Sequence, residues 1–232
     1  WSLPSTSRLS YTKPSIDSVT GVTTMRTSGG ESVTLTGENI GPDDTAIIVT
    51  YGPNGMQYTA TDCVVSDEHE SVTCKTAAGI GAGHKWRVSV AGTWSDVSSA
   101  TMNYTVPAIT GFADLSSMRT SGGESLTIVG TNLGASGAVI VVYGGPDGSG
   151  HTATSCSVSV AHVQVVCTTA RGIGANHAFR VTVGDQQSVA SSELFSYTSP
   201  SISEIDAPEW LVTDGDDTLT ITGEQFGAVG SL

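Results

Sequence analysis

The sequence is poor in charge. Of its 232 residues only 13% are Asp, Glu, Lys or Arg, and nine Lys+Arg stand against 22 Asp+Glu, a formal charge of −13. A basic face able to neutralise a run of phosphates is not available, which argues against nucleic acid as a partner. An anionic membrane surface is disfavoured for the same reason. Long apolar runs are missing too, and nothing approaches the ~20 residues a membrane-spanning helix needs. The strong helix formers Leu, Glu, Lys and Gln are scarce, and no segment carries a helical period. Trp1 stands first, with no charged stretch and apolar run behind it, so we expect a mature chain or a piece of one.

What the sequence does have is glycine, 28 residues of it, abundant Ser and Thr, and an internal repeat. Tyr11-Thr-Lys-Pro14-Ser-Ile returns as Tyr104-Thr-Val-Pro107-Ala-Ile and as Tyr197-Thr-Ser-Pro200-Ser-Ile, 93 residues apart each time. Met25-Arg-Thr-Ser-Gly-Gly-Glu-Ser32 reappears unchanged as Met118 to Ser125. Cys63 falls on Cys156, Cys74 on Cys167, His84 on His177, and Trp1 on Trp94. Self-similarity at a fixed period is the signature of a tandem array. Residues 1–12 then form the C-terminal strand of a preceding repeat, 13–105 and 106–198 two whole repeats, and 199–232 the N-terminal part of a further one. The last stretch stops before the position matching Cys63 and is too short for a core of its own, so the array is expected to continue beyond both ends.

Within each repeat, short alternating runs read as strands. Val33 and Leu35 share one face, as do Leu126 and Ile128, and Leu219 and Ile221. Ala46–Val49 and Val139–Val142 are continuous apolar runs, expected in a strand covered on both sides. They lead into Gly52-Pro-Asn-Gly55 and Gly145-Pro-Asp-Gly148, which read as hairpin turns. Trp86, Val88 and Val90 alternate with Arg87 and Ser89, and Phe179, Val181 and Val183 repeat the pattern. Met102 with Tyr104, and Phe195 with Tyr197, give a last strand with large inward side chains. About seven strands in 93 residues is the density of an immunoglobulin-like sandwich, so the expected fold is all-β.

The pattern as a whole resembles a known family. A Pro-x-Ile opening precedes Gly122-Gly-Glu-Ser-Leu-Thr-Ile-x-Gly-x-Asn-Leu-Gly134, and Cys167-Thr-Thr-Ala-Arg-Gly-Ile-Gly174 leads into a Val-x-Val strand. The first repeat carries Gly37-Glu-Asn-Ile-Gly41 at the matching place. This resembles the IPT/TIG domain, and the cysteine-bearing form is similar to repeats of plexin-like and fibrocystin-like ectodomains and of large microbial surface proteins. Ala77 and Ala170 stand where that family commonly has proline. The resemblance implies an immunoglobulin-like scaffold, on which function is not fixed by fold.

Candidate sites are few. Cys63 and Cys74, and Cys156 and Cys167, are spaced so that two strands joined by a tight turn bring each pair within bridging distance. Disulfides would mean an oxidising compartment; buried thiols or a metal are the alternatives, although further ligands at zinc spacing are missing. Asn103-Tyr-Thr105 is a glycosylation sequon with Asn103 expected to face outward. Gly79-Ile-Gly-Ala-Gly83-His84 lacks the following helix of a phosphate loop and reads as a turn. His84 and His177 have no second ligand at a useful spacing in the sequence, and Asp214-Gly-Asp-Asp217 matches plain turns in the other repeats. Arg26 and Arg119, inside the unchanged octapeptide, are candidate assembly contacts, since identical patches at fixed spacing suit a fibre. Trp94 is expected to pack, because Trp1 holds the same place.

No catalytic constellation or cofactor loop emerges from these residues. The expected function is a non-enzymatic structural component of an extracellular or cell-surface rod, fibre or filament, glycosylated, without a cofactor, whose partners are itself or neighbouring surface proteins. An adhesin or receptor stalk binding a protein or glycan is the alternative; an accessory module of a secreted carbohydrate-active enzyme is a second.

Overall fold

The computed structural model describes residues 10–228, and among these there is no helix. The chain divides into two compact units, 1–105 and 106–232. The segment expected to end a preceding repeat lies, apart from Ser10, Tyr11 and Thr12, outside the described residues, and Trp1 with it.

The first unit contains β1 (Ser18–Thr20), β2 (Ser32–Thr36), β3 (Ile47–Gly52), β4 (Tyr58–Thr59), β5 (Thr61–Asp67), β6 (Ser71–Lys75), β7 (His84–Val90), β8 (Thr93–Trp94) and β9 (Thr101–Met102). One sheet has the order β1-β2-β6-β5; the other runs β4-β3-β7-β8, with β9 added to β7. Neighbours are antiparallel throughout, so each strand can turn one apolar face inward and one polar face outward. Val33 and Leu35 of β2, Val72 and Cys74 of β6, Val49 and Tyr51 of β3, and Trp86 and Val88 of β7 supply the interior, all at most 1% exposed. Tyr51 and Trp86 are cross-strand neighbours and stack, ring centroids 4.3 Å apart.

The second unit repeats the plan with β10 (Ala108–Ala113), β11 (Ser125–Thr131), β12 (Val139–Gly144), β13 (His151–Thr152), β14 (Thr154–Val160), β15 (Gln164–Thr168), β16 (Ala178–Val183) and β17 (Gln186–Gln187). Its sheets are β10-β11-β15-β14 and β13-β12-β16-β17. It also contains a two-stranded sheet, β18 (Ser201–Asp206) with β19 (Thr220–Glu224), whose register matches that of β10 with β11. Ile205 and Ile221, aligned by the period with Phe112 and Ile128, are 59% and 50% exposed.

Two expectations need correction. The apolar runs at β3 and β12 are covered on one side only, since Ile48 and Ile140 are 50% and 53% exposed. A sandwich has two layers, and among the described residues the outer faces of these strands stay half open to solvent. The period also slips by one at these strands: Ile47 pairs with Val90 and Val139 with Val183, so the structural offset is 92, and the extra glycine of Gly144-Gly145 restores 93.

The interior of the second sandwich depends on Leu126 and Ile128, neither of them accessible to solvent. Leu126→Ala should lower the stability of the chain by about 2–5 kcal/mol, read from a urea titration, because the rigid sheets around it cannot collapse into the gap. A loss below 1 kcal/mol would mean that the two sheets do not pack as described.

Candidate functional site

The cysteines lie on adjacent strands of one sheet. β5 pairs with β6 through a bulge around Asp62 and Cys63, where Asp62 adopts φ +51°, and this carries Cys63 over Cys74. The structure joins Cys63 to Cys74 and Cys156 to Cys167, each pair with Cα atoms 4.1 Å apart. The bridges therefore staple a hairpin and do not tie the two sheets of a sandwich together, as the inter-sheet bridge of antibody domains does. Closing so short a loop contributes about 3 kcal/mol in the chain-entropy model.

The repeated octapeptide forms the loop that enters β2 in the first unit and β11 in the second. Met25 and Met118 are fully buried. Glu31 Oε1 accepts from the Arg26 N–H at 3.0 Å and from Arg26 Nε–H at 2.6 Å, and its other oxygen accepts from the Thr76 hydroxyl at 2.9 Å. Glu124 makes the same bonds to Arg119 and Thr169. Burial pushes both carboxyls up, but the bonds from arginine and threonine outweigh it and hold them below the ordinary glutamate range. Gly29 and Gly122 are required here: both have positive φ, and a Cβ would stand 2.4–2.5 Å from the backbone carbonyl carbons of Ala77 and Ala170. Arg26 and Arg119 are thus engaged inside their own repeats, with side chains still 68% and 63% exposed.

A polar network of aromatics sits between the sheets. The Tyr51 hydroxyl accepts from Ala77 N–H at 2.8 Å and lies 2.7 Å from the Tyr104 hydroxyl, which donates to Ala77 O at 2.8 Å. Tyr143, Tyr197 and Ala170 reproduce it. Burial raises all four phenols, which keeps them neutral donors and acceptors. Gly79 and Gly172 account for the glycine-rich loops, because a Cβ at either would meet the hydroxyl of Tyr104 or Tyr197 at 2.4–2.5 Å.

His84 and His177 are 1% and 6% exposed and line this network. His84 Nε2 lies 3.1 Å from Ile80 O, and His177 Nε2 3.2 Å from Ile173 O. The sequence spacing hides a second histidine: β12 pairs with both β13 and β16, which brings His151 edge-on to His177 at 5.6 Å. Tyr58 takes that place in the first unit. Burial holds His84 below the usual histidine range, and burial together with the neighbouring His177 does the same for His151. Among the described residues no group of three His, Cys, Asp or Glu side chains could hold a metal ion.

Asn103 faces outward beside inward Tyr104. Its Oδ1 accepts from Gly83 N–H at 2.7 Å, a role Ser196 Oγ plays for Asn176 in the second unit. In the Asp214–Asp217 turn, Asp217 accepts from Val212 N–H at 2.5 Å, which fits a plain turn.

Trp94 is not a core residue. It sits on short β8 at the sheet edge, 38% exposed, with the Arg87 guanidinium 5.1 Å over its ring. Met56 and Val97, 60% and 41% exposed, flank that arginine: Arg87 Nη1 points to Met56 Sδ at 3.6 Å. The guanidinium is fixed further by two bonds to Ser95 O. Lys13 and Asp96 pair nearby. The second unit retains Arg180 but has Ser149, Gln187 and Ala190 in place of Met56, Trp94 and Val97. Of the two complete repeats, only the first carries this aromatic surface.

Two antiparallel sheets packed face to face, repeated in tandem and each stapled by one disulfide, define a chain of immunoglobulin-like modules. It belongs to the IPT/TIG domain family, whose model matches residues 14–106 and 107–197. Among solved structures the chain is similar to the plexin A4 extracellular region (21% identity, 80% of this chain and 18% of that one, TM-score 0.34). It is also similar to SGBP-B from a xyloglucan utilization locus in Bacteroides uniformis (16% identity, 79% and 49%, TM-score 0.34). A third is the surface glycan-binding protein PbSGBP-B from Prevotella bryantii (13% identity, 81% and 43%, TM-score 0.47). The chain spans less than half the length of each. No curated protein sequence matches it.

The histidines give a pH dependence with a definite sign. For His84 and His151 the folded pKa lies below the unfolded value near 6.5, so the unfolded chain binds more protons between the two. Stability should be flat above about pH 6.5 and fall as pH drops below it, in urea titrations at pH 7.5, 6.0 and 5.0. His151→Tyr, the first unit's own solution, should shallow that fall; an unaltered profile would remove His151 from the account.

Proposed function

We propose that the chain is a non-enzymatic stretch of an extracellular rod built from tandem IPT/TIG modules. The carrying observation is that each complete repeat closes its own core and places one disulfide at the same point of the same hairpin. Disulfides belong to an oxidising compartment, and the outward Asn103 of the sequon is suited to carry a glycan there. Successive repeats meet at Tyr-Thr-x-Pro without a flexible linker, and the proline restricts the backbone at the seam. The buried tyrosines and histidines serve packing and polar satisfaction, so no catalytic role is assigned to them. In this reading the outward parts of Arg26 and Arg119 offer equal contacts, one period apart, for lateral assembly into a filament.

Electron microscopy of the native protein without detergent or reductant tests assembly. Ordered filaments that Arg26→Ala with Arg119→Ala disperses are the expected result. Isolated rods, or filaments indifferent to both substitutions, would sink the assembly contact.

A second reading has its own observation, the exposed Trp94–Arg87–Met56–Val97 surface of the first repeat. An aromatic plane beside a fixed guanidinium suits a sugar ring with acceptor hydroxyls, and such clusters are typical anchors of binding surfaces. The chain applied to an immobilised glycan array should then bind a subset, and Trp94→Ala should weaken that binding at least tenfold. Absence of binding, or binding that Trp94→Ala leaves intact, counts against this reading.

A further inference from the structure

The octapeptide loop has a feature that its internal bonds do not account for. In the second unit Gly122 N–H is taken by Arg119 O, Gly123 N–H by Thr169 O, and the Arg119 and Glu124 N–H groups by Glu124 Oε1 and Thr169 Oγ1. Thr120 O accepts from Gly172 N–H. These bonds occupy much of the loop's own polar capacity, and the Thr120 N–H and hydroxyl find their acceptor outside it. Both are met by a residue 105 positions later: Gln225 Oε1 accepts from Thr120 N–H at 2.8 Å and from Thr120 Oγ1 at 3.1 Å. Thr120 is 9% exposed, so its donors are shielded and a missing partner would leave them poorly satisfied.

Gln225 follows β19 in the part of the chain that opens the next repeat. It adopts φ +62°, an uncommon conformation for glutamine that turns the chain sharply at the strand end. Asn39 and Asn132 hold the same register position and share the conformation, at φ 60° and 57°. The loop shape that presents a side-chain amide after the second strand is therefore built into every repeat. On the opposite side, Thr120, Ser121 and Arg171 face Gly227 and Ala228 across a cleft of about 290 Å³.

We propose that the octapeptide loop is the docking seat of the following repeat, with the Thr120 amide and hydroxyl as its recognition point and the Gln225 carbonyl as the group that plugs it. The inference rests on the tandem-array reading and names one bond by which a repeat receives the segment that follows it. A neutral amide-to-hydroxyl contact has direction without net charge, so salt does not screen it, which suits a chain with few ions to spare. It also gives the octapeptide a reason to stay unchanged that the arginine alone does not supply: glutamate, glycines and threonine together shape one seat.

The test is amide hydrogen exchange, followed by NMR, on the whole 232-residue chain. In Gln225→Ala the Thr120 amide should exchange at least tenfold faster, while Leu126 and Ile128 in the core keep their protection. Gln225→Leu keeps the side chain's bulk and removes its carbonyl; the same acceleration is expected, and it separates loss of the bond from loss of packing. Thr120 protection that persists in Gln225→Leu overturns the proposal, as does acceleration spread equally over Leu126 and Ile128. Neither result bears on whether the array forms filaments, so failure of the seat and failure of the rod reading remain distinguishable.

Discussion

Each sandwich depends on one carboxylate at its corner. Glu31, and Glu124 after it, receives an arginine side chain, the backbone N–H of that arginine and a threonine hydroxyl from the strand opposite. A half-exposed ion pair contributes little by itself. What makes this one consequential is that its acceptor also takes a backbone donor and a hydroxyl, so the octapeptide loop and the end of the neighbouring strand share one anchor. With that corner fixed, Gly29 and Gly122 can press against the Ala77 and Ala170 backbones, and the tyrosine pair can close on the same alanines from inside the core. The loop, the strand it enters and the phenol network are consequences of one geometry.

The two repeats show which parts of that geometry are free to change. Trp86 of the first unit becomes Phe179, Val19 becomes Phe112, and Met102 becomes Phe195. Volume lost at one position returns at another: Phe112 lies 5.0 Å from Phe179 and 4.9 Å from Phe195, forming an aromatic cluster where the first unit has one large indole. Cores tolerate substitution that conserves volume and pattern, because density and not residue identity is the constraint. One polar contact is exchanged as well. Tyr58 hydrogen-bonds both the N–H and the O of Ile80, whereas His151 in its place meets His177 and Tyr197 edge-on.

Much of the fold was legible because strand alternation and a strict period are local signals. The inward residues of β2, β7 and their counterparts, the hairpin turns and the outward Asn103 follow from counting along the chain. Which outer faces stay bare does not, and the apolar runs at β3 and β12 mislead for that reason: Ile48 and Ile140 are apolar yet half exposed, and alternation cannot see an absent third layer. Trp94 misleads similarly, since a shared position with Trp1 indicates equivalence but not burial. The His151–His177 contact depends on two strand pairings, and the Thr120–Gln225 bond spans 105 residues, so neither leaves a pattern at short range.

The divergence of surface and loop has a direction. Side chains that serve a single repeat's interior, such as Trp86 and Phe179, drift in compensated pairs, and the outer sheet face drifts freely, leaving Trp94 and Met56 in one repeat and Gln187 and Ser149 in the other. The octapeptide does neither. Internal bonding explains its glutamate, its glycine at Gly29 or Gly122, and the arginine backbone, but those bonds could be met by other residues flanking the same loop. A segment that must also receive the next module carries two constraints at once: it has to hold its own shape and present Thr120 donors at a fixed place. Two constraints on eight residues leave less room to vary than one, which is why invariance concentrates at the loop while the larger buried strands keep only their pattern.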